Sequence, residues 1–86
     1  MRALRRRYGR AHGIEGSHVQ SLLFPRDRFT VAQAREWATR HKWKADDVDV
    51  KPEWIHLRQE DPSRFARVRT VMMGGSGVEG RVGWRK

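Results

Sequence analysis

Hydrophobic side chains recur at helical spacing, i, i+3, i+4 and i+7, in one segment near the middle of the chain. Thr30 precedes this segment as an N-cap, and Gln33 can complete a capping box with it. Phe29, just before the cap, can pack on the first turn as a hydrophobic staple. These signals predict an amphipathic helix that buries one stripe of side chains. The stripe consists of Ala34, Trp37, Ala38 and His41.

Four other segments show the alternation or the short apolar runs that are typical of β-strands. The first is stopped by Pro25, and the second and third are joined by a turn at Pro52, which predicts a hairpin. In the third strand Ile55 and Leu57 alternate with polar or amphipathic side chains, so one of its faces should be buried. The predicted strands cover residues 18–24, 48–50, 54–59 and 78–84.

A second helix is predicted between the third and the fourth strand. Asp61 is a suitable N-cap, and Pro62 then occupies the first helical position, where proline is favoured. Phe65, Val68 and Met72 follow at i, i+3 and i+7, so a short helix with one buried face is expected.

The predicted order of elements is β-α-β-β-α-β. This order is typical of an α+β domain of the ferredoxin-like, or split-βαβ, type, in which two helices cover one face of a four-stranded antiparallel sheet. The alternative is a three-stranded sheet with only the first helix well formed. The domain is expected over residues 17–86. Residues 1–16 are rich in arginine and glycine and are predicted to form a flexible basic arm.

Charge is the strongest compositional signal. The chain of 86 residues has 19 Lys and Arg against 10 Asp and Glu, which gives a net charge of +9. Such an excess attracts polyanions, and the predominance of arginine favours phosphate and base contacts. The absence of cysteine excludes disulfides and thiolate metal ligands. Without a secretory signal or an apolar run of about 20 residues, we expect a cytoplasmic protein and no membrane partner.

Catalytic and metal-binding motifs are not found in the sequence. The four histidines lack zinc-site spacing, and His41 is interpreted as a packed, hydrogen-bonded residue. Asp46, Asp47 and Asp49 are interpreted as the solvated end of a loop, although such a cluster can hold a divalent ion. The glycine-rich segment 74–80 precedes a strand and lacks Gly-Lys-Ser/Thr, so it predicts a hairpin-like connection and not a phosphate loop. We therefore predict a protein that is not an enzyme and has no cofactor and no metal.

Two features are typical of nucleic-acid binding, namely the five arginines of the arm and the third strand. If Ile55 and Leu57 face the core, Trp54, His56 and Arg58 lie on the opposite face. Aromatic and arginine side chains on an open sheet face often hold single-stranded RNA. The alternative is that Trp54 closes the core at the sheet edge. The predicted nucleic-acid-binding residues are Arg2, Arg5, Arg6, Arg7, Arg10, Trp54, His56, Arg58, Arg64, Arg67, Arg69, Arg81, Arg85 and Lys86.

Three sequence patterns resemble a group of small phage- and virus-encoded proteins. They are FT-x-x-x-A-x-x-W-x-x-x-H over residues 29–41, R-Q-x-D-P-x-x-F over residues 58–65, and a Gly-Val…Val-Gly ending over residues 77–83. The resemblance covers about residues 19–83 and leaves out the basic arm. It implies a viral origin and a compact α+β domain, and it transfers no catalytic residue.

The sequence therefore predicts a phage-encoded, non-catalytic accessory protein that binds DNA or RNA mainly through arginine contacts. The first alternative is a phage inhibitor or adaptor that binds an acidic surface of a host protein machine, such as a polymerase or a defence nuclease. Trp54 or Trp84 would then anchor the interface. The second alternative is a minor component of the phage particle whose arm contacts the packaged genome.

Overall fold

A computed structural model of the protein describes residues 16–74 and 76–86. It is an α+β domain in which one helix lies against a five-stranded antiparallel sheet with the strand order β2-β3-β1-β5-β4. The elements are β1 (Ser17–Pro25), α1 (Val31–Arg40), β2 (Val48–Val50), β3 (Trp54–Arg58), a single 3-10 turn (Pro62–Arg64), β4 (Phe65–Met72) and β5 (Glu79–Arg85).

The helix begins where the sequence predicts. The hydroxyl of Thr30 accepts a hydrogen bond from the backbone N–H of Gln33 at 3.1 Å, and the Gln33 side chain accepts one from the backbone N–H of Thr30 at 2.9 Å. This reciprocal pair confirms the capping box. The predicted buried stripe is confirmed for Ala34 and Ala38, but His41 is exposed. His41 stacks on the ring of Trp37, and its Nδ1 lies 2.8 Å from the Trp37 carbonyl oxygen.

The core lies between α1 and one face of the sheet. In the antiparallel pairing of β1 with β3, Leu22 is opposite Leu57 and Phe24 is opposite Ile55. All four side chains are at most 1 % exposed and form one cluster with the two helix alanines. Burial of each such side chain contributes about 1.5–3 kcal/mol to the stability of the fold. Phe24 also makes edge-to-face contacts with two aromatic rings, at centroid distances of 5.2 and 5.5 Å.

The prediction of a second helix is wrong. Asp61 does cap a turn, and its carboxylate accepts a hydrogen bond from the backbone N–H of Ser63 at 3.0 Å, but the turn stops after Pro62–Arg64. Phe65–Met72 is a strand that pairs with β5 along its whole length. The β-branched residues of this segment and its alternation of arginine with smaller side chains suit a strand better than a helix. The split-βαβ layout is therefore confirmed only for its first half, β-α-β-β.

The segment that follows β4 forms the predicted hairpin-like connection. It joins two antiparallel strands, and Gly74 and Gly77 adopt positive φ angles of 127° and 88°. Residues with a side chain rarely adopt such φ angles, which explains why glycine is found at these positions between β4 and β5.

Gly83 lies where β4 bulges against β5, and its position leaves no room for a side chain. The bulge falls between Phe65 and Arg67, and a Cβ at Gly83 would overlap the backbone carbonyl oxygen of Arg67. Gly80 lies on the same strand, where a Cβ would contact only the flexible side chain of Met73 at 3.0 Å.

We therefore expect Gly83→Ala to destabilise the protein by about 2–3 kcal/mol, since β4 must move to accommodate the methyl group. The control Gly80→Ala should cost less, because the Met73 side chain can adjust. Urea unfolding followed by tryptophan fluorescence measures both variants. Equal losses for the two variants would contradict this description of the β4–β5 contact.

Candidate nucleic-acid interface

The face of the sheet that points away from α1, called here the open face, carries the side chains that alternate with the core. In β1 these are Ser21 and Leu23, and in β3 they are Trp54, His56 and Arg58. The burial of the β3 residues alternates as the sequence predicts, with Ile55 and Leu57 buried and their neighbours partly or fully exposed. No described strand or α-helix packs on this face.

Two arginines lie in one row across the open face. Ser21 of the central strand pairs with Arg58 on one side and with Arg81 of β5 on the other. Since neighbouring strands are about 4.8 Å apart, the backbones of the two arginines are separated by about 10 Å. Neither guanidinium forms a hydrogen bond or an ion pair with a described residue. Both are exposed, so this row can bind an anion without breaking a hydrogen bond or an ion pair to a described residue.

His56 lies in the next row of the open face, beside Leu23. Partial burial lowers the pKa of His56 below the ordinary histidine value of 6.5, and the positive charges of Lys51, Arg81 and Arg58 lower it further. Asp49, opposite His56 on β2, raises the pKa but does not reverse the shift. The carboxylate of Asp49 also pairs with the Lys51 ammonium at 3.1 Å. Both arginines are close enough to His56 to lower its pKa, and the three residues are called here the cationic cluster.

Trp54 lies at the end of the open face and not in the core. It is opposite Pro25 in the β1–β3 register and is half-buried. It does not belong to the hydrophobic cluster between α1 and the sheet. The alternative interpretation, in which Trp54 closes the core, is therefore not supported. Trp54 lies on the same face of the sheet as the cationic cluster.

Arg85 is held by an acidic residue of this chain. Its guanidinium donates three hydrogen bonds of 2.8–3.1 Å to the carboxylate of Glu60. These bonds lower the pKa of Glu60 and raise that of Arg85. Arg85 therefore joins β5 to the segment after β3, and its charge is largely neutralised within the chain.

The other predicted residues that the structure describes lie apart from this cluster. Arg67 and Arg69 of β4 pair with Trp84 and Val82 of β5, which places them on the helix side of the sheet. The Arg67 guanidinium lies 5.2 Å from the centre of the Trp84 ring. Arg64 ends the 3-10 turn, and its carbonyl oxygen accepts a hydrogen bond from the backbone N–H of Lys86 at 2.9 Å. The remaining five predicted residues, Arg2, Arg5, Arg6, Arg7 and Arg10, lie outside the described residues.

Sequence reasoning missed the acidic residues that lie beside the cluster. Asp49 and Glu79 belong to other strands, and only the register places them in the row of His56 and Leu23. The alternation of β2 and β5 predicts which face each side chain occupies, but it does not predict its partners across the sheet.

Within residues 16–74 and 76–86, no three His, Asp or Glu side chains come close enough to hold a metal ion together. In the same part of the chain, no helix has the length and apolar character required to cross a membrane.

Comparison of the chain with protein-family models, curated proteins and solved structures gives no significant match. The resemblance to phage- and virus-encoded proteins stays a prediction.

Because the folded state disfavours the imidazolium form of His56, the folded protein binds fewer protons than the unfolded chain just below pH 6.5. The contribution of His56 to stability is therefore present above its unfolded pKa and is lost as the pH falls through the lowered folded pKa. We expect an NMR titration to place the His56 pKa below 6.5. Arg81→Gln should raise it by removing a like charge, and Asp49→Asn should lower it.

The His56→Gln variant identifies the resonance in these spectra. An unchanged pKa in Arg81→Gln would show that the arginine and the imidazole are too far apart to act as one cluster.

Proposed function

We propose that the protein is a non-catalytic binder of single-stranded nucleic acid and that the open face is its binding surface. The observation that carries this proposal is the register of β1 with its two neighbours, which lines up Arg58, Ser21 and Arg81 in one row with His56 and Trp54 beside them. The two guanidinium groups would bind phosphates, and Trp54 would stack on a base.

The shape of the surface favours single strands over duplex. The contacts come from alternate residues of flat strands, and no described helix or ribbon projects from this face to enter a groove. Unstacked bases can instead lie on a sheet and contact aromatic and arginine side chains. The proposal extends to both RNA and DNA, since no described contact selects a 2′-hydroxyl.

The two edges of the sheet differ in charge, although Arg67 and Arg69 lie on its helix side and not on the open face. The β4 edge of the sheet carries Arg67 and Arg69, and this strand has no acidic residue. The β2 edge, at the opposite end of the sheet, contains Asp49 within the strand and Asp47 just before it. A polyanion is therefore attracted towards the β5–β4 half and repelled from the β2 edge. The arginines of residues 1–15 add further positive charge to the chain.

The alternative function, an adaptor that binds an acidic protein surface, is favoured by one observation. β4 is an eight-residue edge strand, and no described strand pairs with its outer edge. An extended acidic peptide could add to this edge and pair its carboxylates with Arg67 and Arg69. Charged residues on an edge strand also prevent unwanted pairing, so this observation supports the adaptor less than the open face supports nucleic acid.

The proposal is tested by fluorescence anisotropy with labelled single- and double-stranded oligonucleotides over a range of salt concentrations. We expect single strands to bind more tightly and, for about six phosphate contacts, a log–log salt slope of about −4. The double variant Arg58→Gln/Arg81→Gln should weaken binding by about tenfold or more and make the slope less steep by about 0.7 per lost contact.

The matched control is Arg40→Gln/Lys44→Gln, which removes two charges from the end of α1 and the segment after it. This control should weaken oligonucleotide binding much less, because both residues lie on the face of the sheet that α1 covers and not on the open face. Replacement of the five arginines of the arm by glutamine measures their contribution to oligonucleotide binding in the same assay. Equal losses in the two double variants would reject the open face as the binding surface. No oligonucleotide binding at about 100 mM salt, together with binding of an oligo-glutamate peptide, would favour the adaptor.

A further inference from the structure

A cleft of about 450 Å³ opens at the end of the sheet where Trp54 lies. Two turns form its walls, the one between β1 and α1 and the one between β2 and β3. Its lining combines one aromatic ring and two prolines with charged side chains. The lining residues are Pro25, Arg26, Asp27, Pro52, Glu53 and Trp54.

Hydrogen bonds between the two turns fix the walls of the cleft. The backbone N–H of Arg26 donates to the Glu53 carbonyl oxygen at 3.0 Å. The Arg26 guanidinium donates to the carbonyl oxygens of Lys51 and Pro52, at 3.0 and 3.4 Å. Proline on each side further restricts the backbone. The cleft is therefore formed before any ligand binds, which lowers the entropic cost of binding.

The charged side chains of the cleft differ in whether their hydrogen-bonding groups already have a partner. One guanidinium nitrogen of Arg26, Nη1, already donates to carbonyl oxygens of the neighbouring turn. The carboxylates of Asp27 and Glu53 have no hydrogen bond and no ion pair with any described residue. Relative to the described residues, the cleft thus has two unpaired carboxylates and one guanidinium beside an apolar wall, which favours hydrogen-bond donors over phosphate. A fitting ligand is flat and presents N–H donors at its edge.

We propose that this cleft is a base-binding site that selects guanine, which deepens the proposed function and rests on it. Guanine presents two adjacent donors, N1–H and N2–H₂, on its Watson–Crick edge, and a carboxylate can accept both at once. Adenine, cytosine and uracil each place an acceptor beside their donor on that edge, which a carboxylate would repel. Trp54 would stack on the purine ring.

The position of the cleft relative to the arginines fits one bound strand. Trp54 and Arg58 are four residues apart on β3, which corresponds to about 13 Å along the strand. Phosphates would lie at Arg58 and Arg81, and a base would enter the cleft beyond them. The carboxylates are thus separated from the phosphate contacts, so the site avoids the repulsion that adjacent acidic groups would cause.

The experiment uses the full chain and labelled single-stranded oligonucleotides of uracil that carry one central guanine, adenine, cytosine or uracil. Anisotropy at constant salt should show about tenfold tighter binding of the guanine oligonucleotide. Asp27→Asn/Glu53→Gln should remove this preference, while binding of the all-uracil oligonucleotide stays the same or becomes tighter because negative charge is lost. Trp54→Phe keeps a ring and should retain the preference, whereas Trp54→Ala should weaken binding of all four.

A second readout locates the base. Titration with guanosine monophosphate, and with adenosine monophosphate as the control, is followed by NMR on the indole N–H of Trp54, which is assigned with Trp54→Phe. Shifts with the guanine nucleotide that disappear in Asp27→Asn/Glu53→Gln support the site. Salt-dependent oligonucleotide binding without a guanine preference, or with a preference that survives in that variant, overturns the site and leaves the proposed function standing. No binding of any oligonucleotide overturns the proposed function and the site together.

Discussion

The structure depends on the pairing of β1 with strands on both of its sides. As the central strand, β1 connects β3 and β5 through backbone hydrogen bonds, and its side chains alternate between the two faces. Leu22 and Phe24 therefore enter the core under α1, while Ser21 and Leu23 face away from the helix. A shift of this register by one residue would exchange the two sets, which would expose the core and bury polar groups.

The same constraint creates the candidate interface. Ser21 is short and lies between Arg58 and Arg81, so the two long side chains flank a low central position. The apolar side of the strands specifies the register, because only one pairing buries Leu22 against Leu57 and Phe24 against Ile55. The positions of the arginines follow from that pairing. Packing on one face thus determines the arrangement of charge on the other.

The described arginines are of two kinds. Some stabilise the fold through contacts within the chain, and others are exposed and can bind a ligand. Arg85 is bound to Glu60, and Arg26 joins two turns through backbone carbonyl oxygens. The guanidinium groups of Arg58 and Arg81 form no hydrogen bond and no ion pair with a described residue, and both lower the pKa of His56. Arginines whose guanidinium has no hydrogen bond or ion pair to a described residue are the ones that an anionic ligand could bind at least cost. Net charge alone does not make this distinction.

Local signals in the sequence determined the capped helix, the β2–β3 hairpin, the burial of Ile55 and Leu57, and hence the outward position of Trp54, His56 and Arg58. The period of hydrophobicity and the capping pattern act over a few residues, so they can be seen without the fold. Only the tertiary structure decided that Phe65–Met72 is a strand, because its apolar residues fit both periods and pairing with β5 selects one of them. It also decided which strands are neighbours. The alignment of Arg58 with Arg81 across β1, and the contact between the two turns beside Trp54, bring together residues that are distant in sequence. Both depend on the packing and register of the whole sheet.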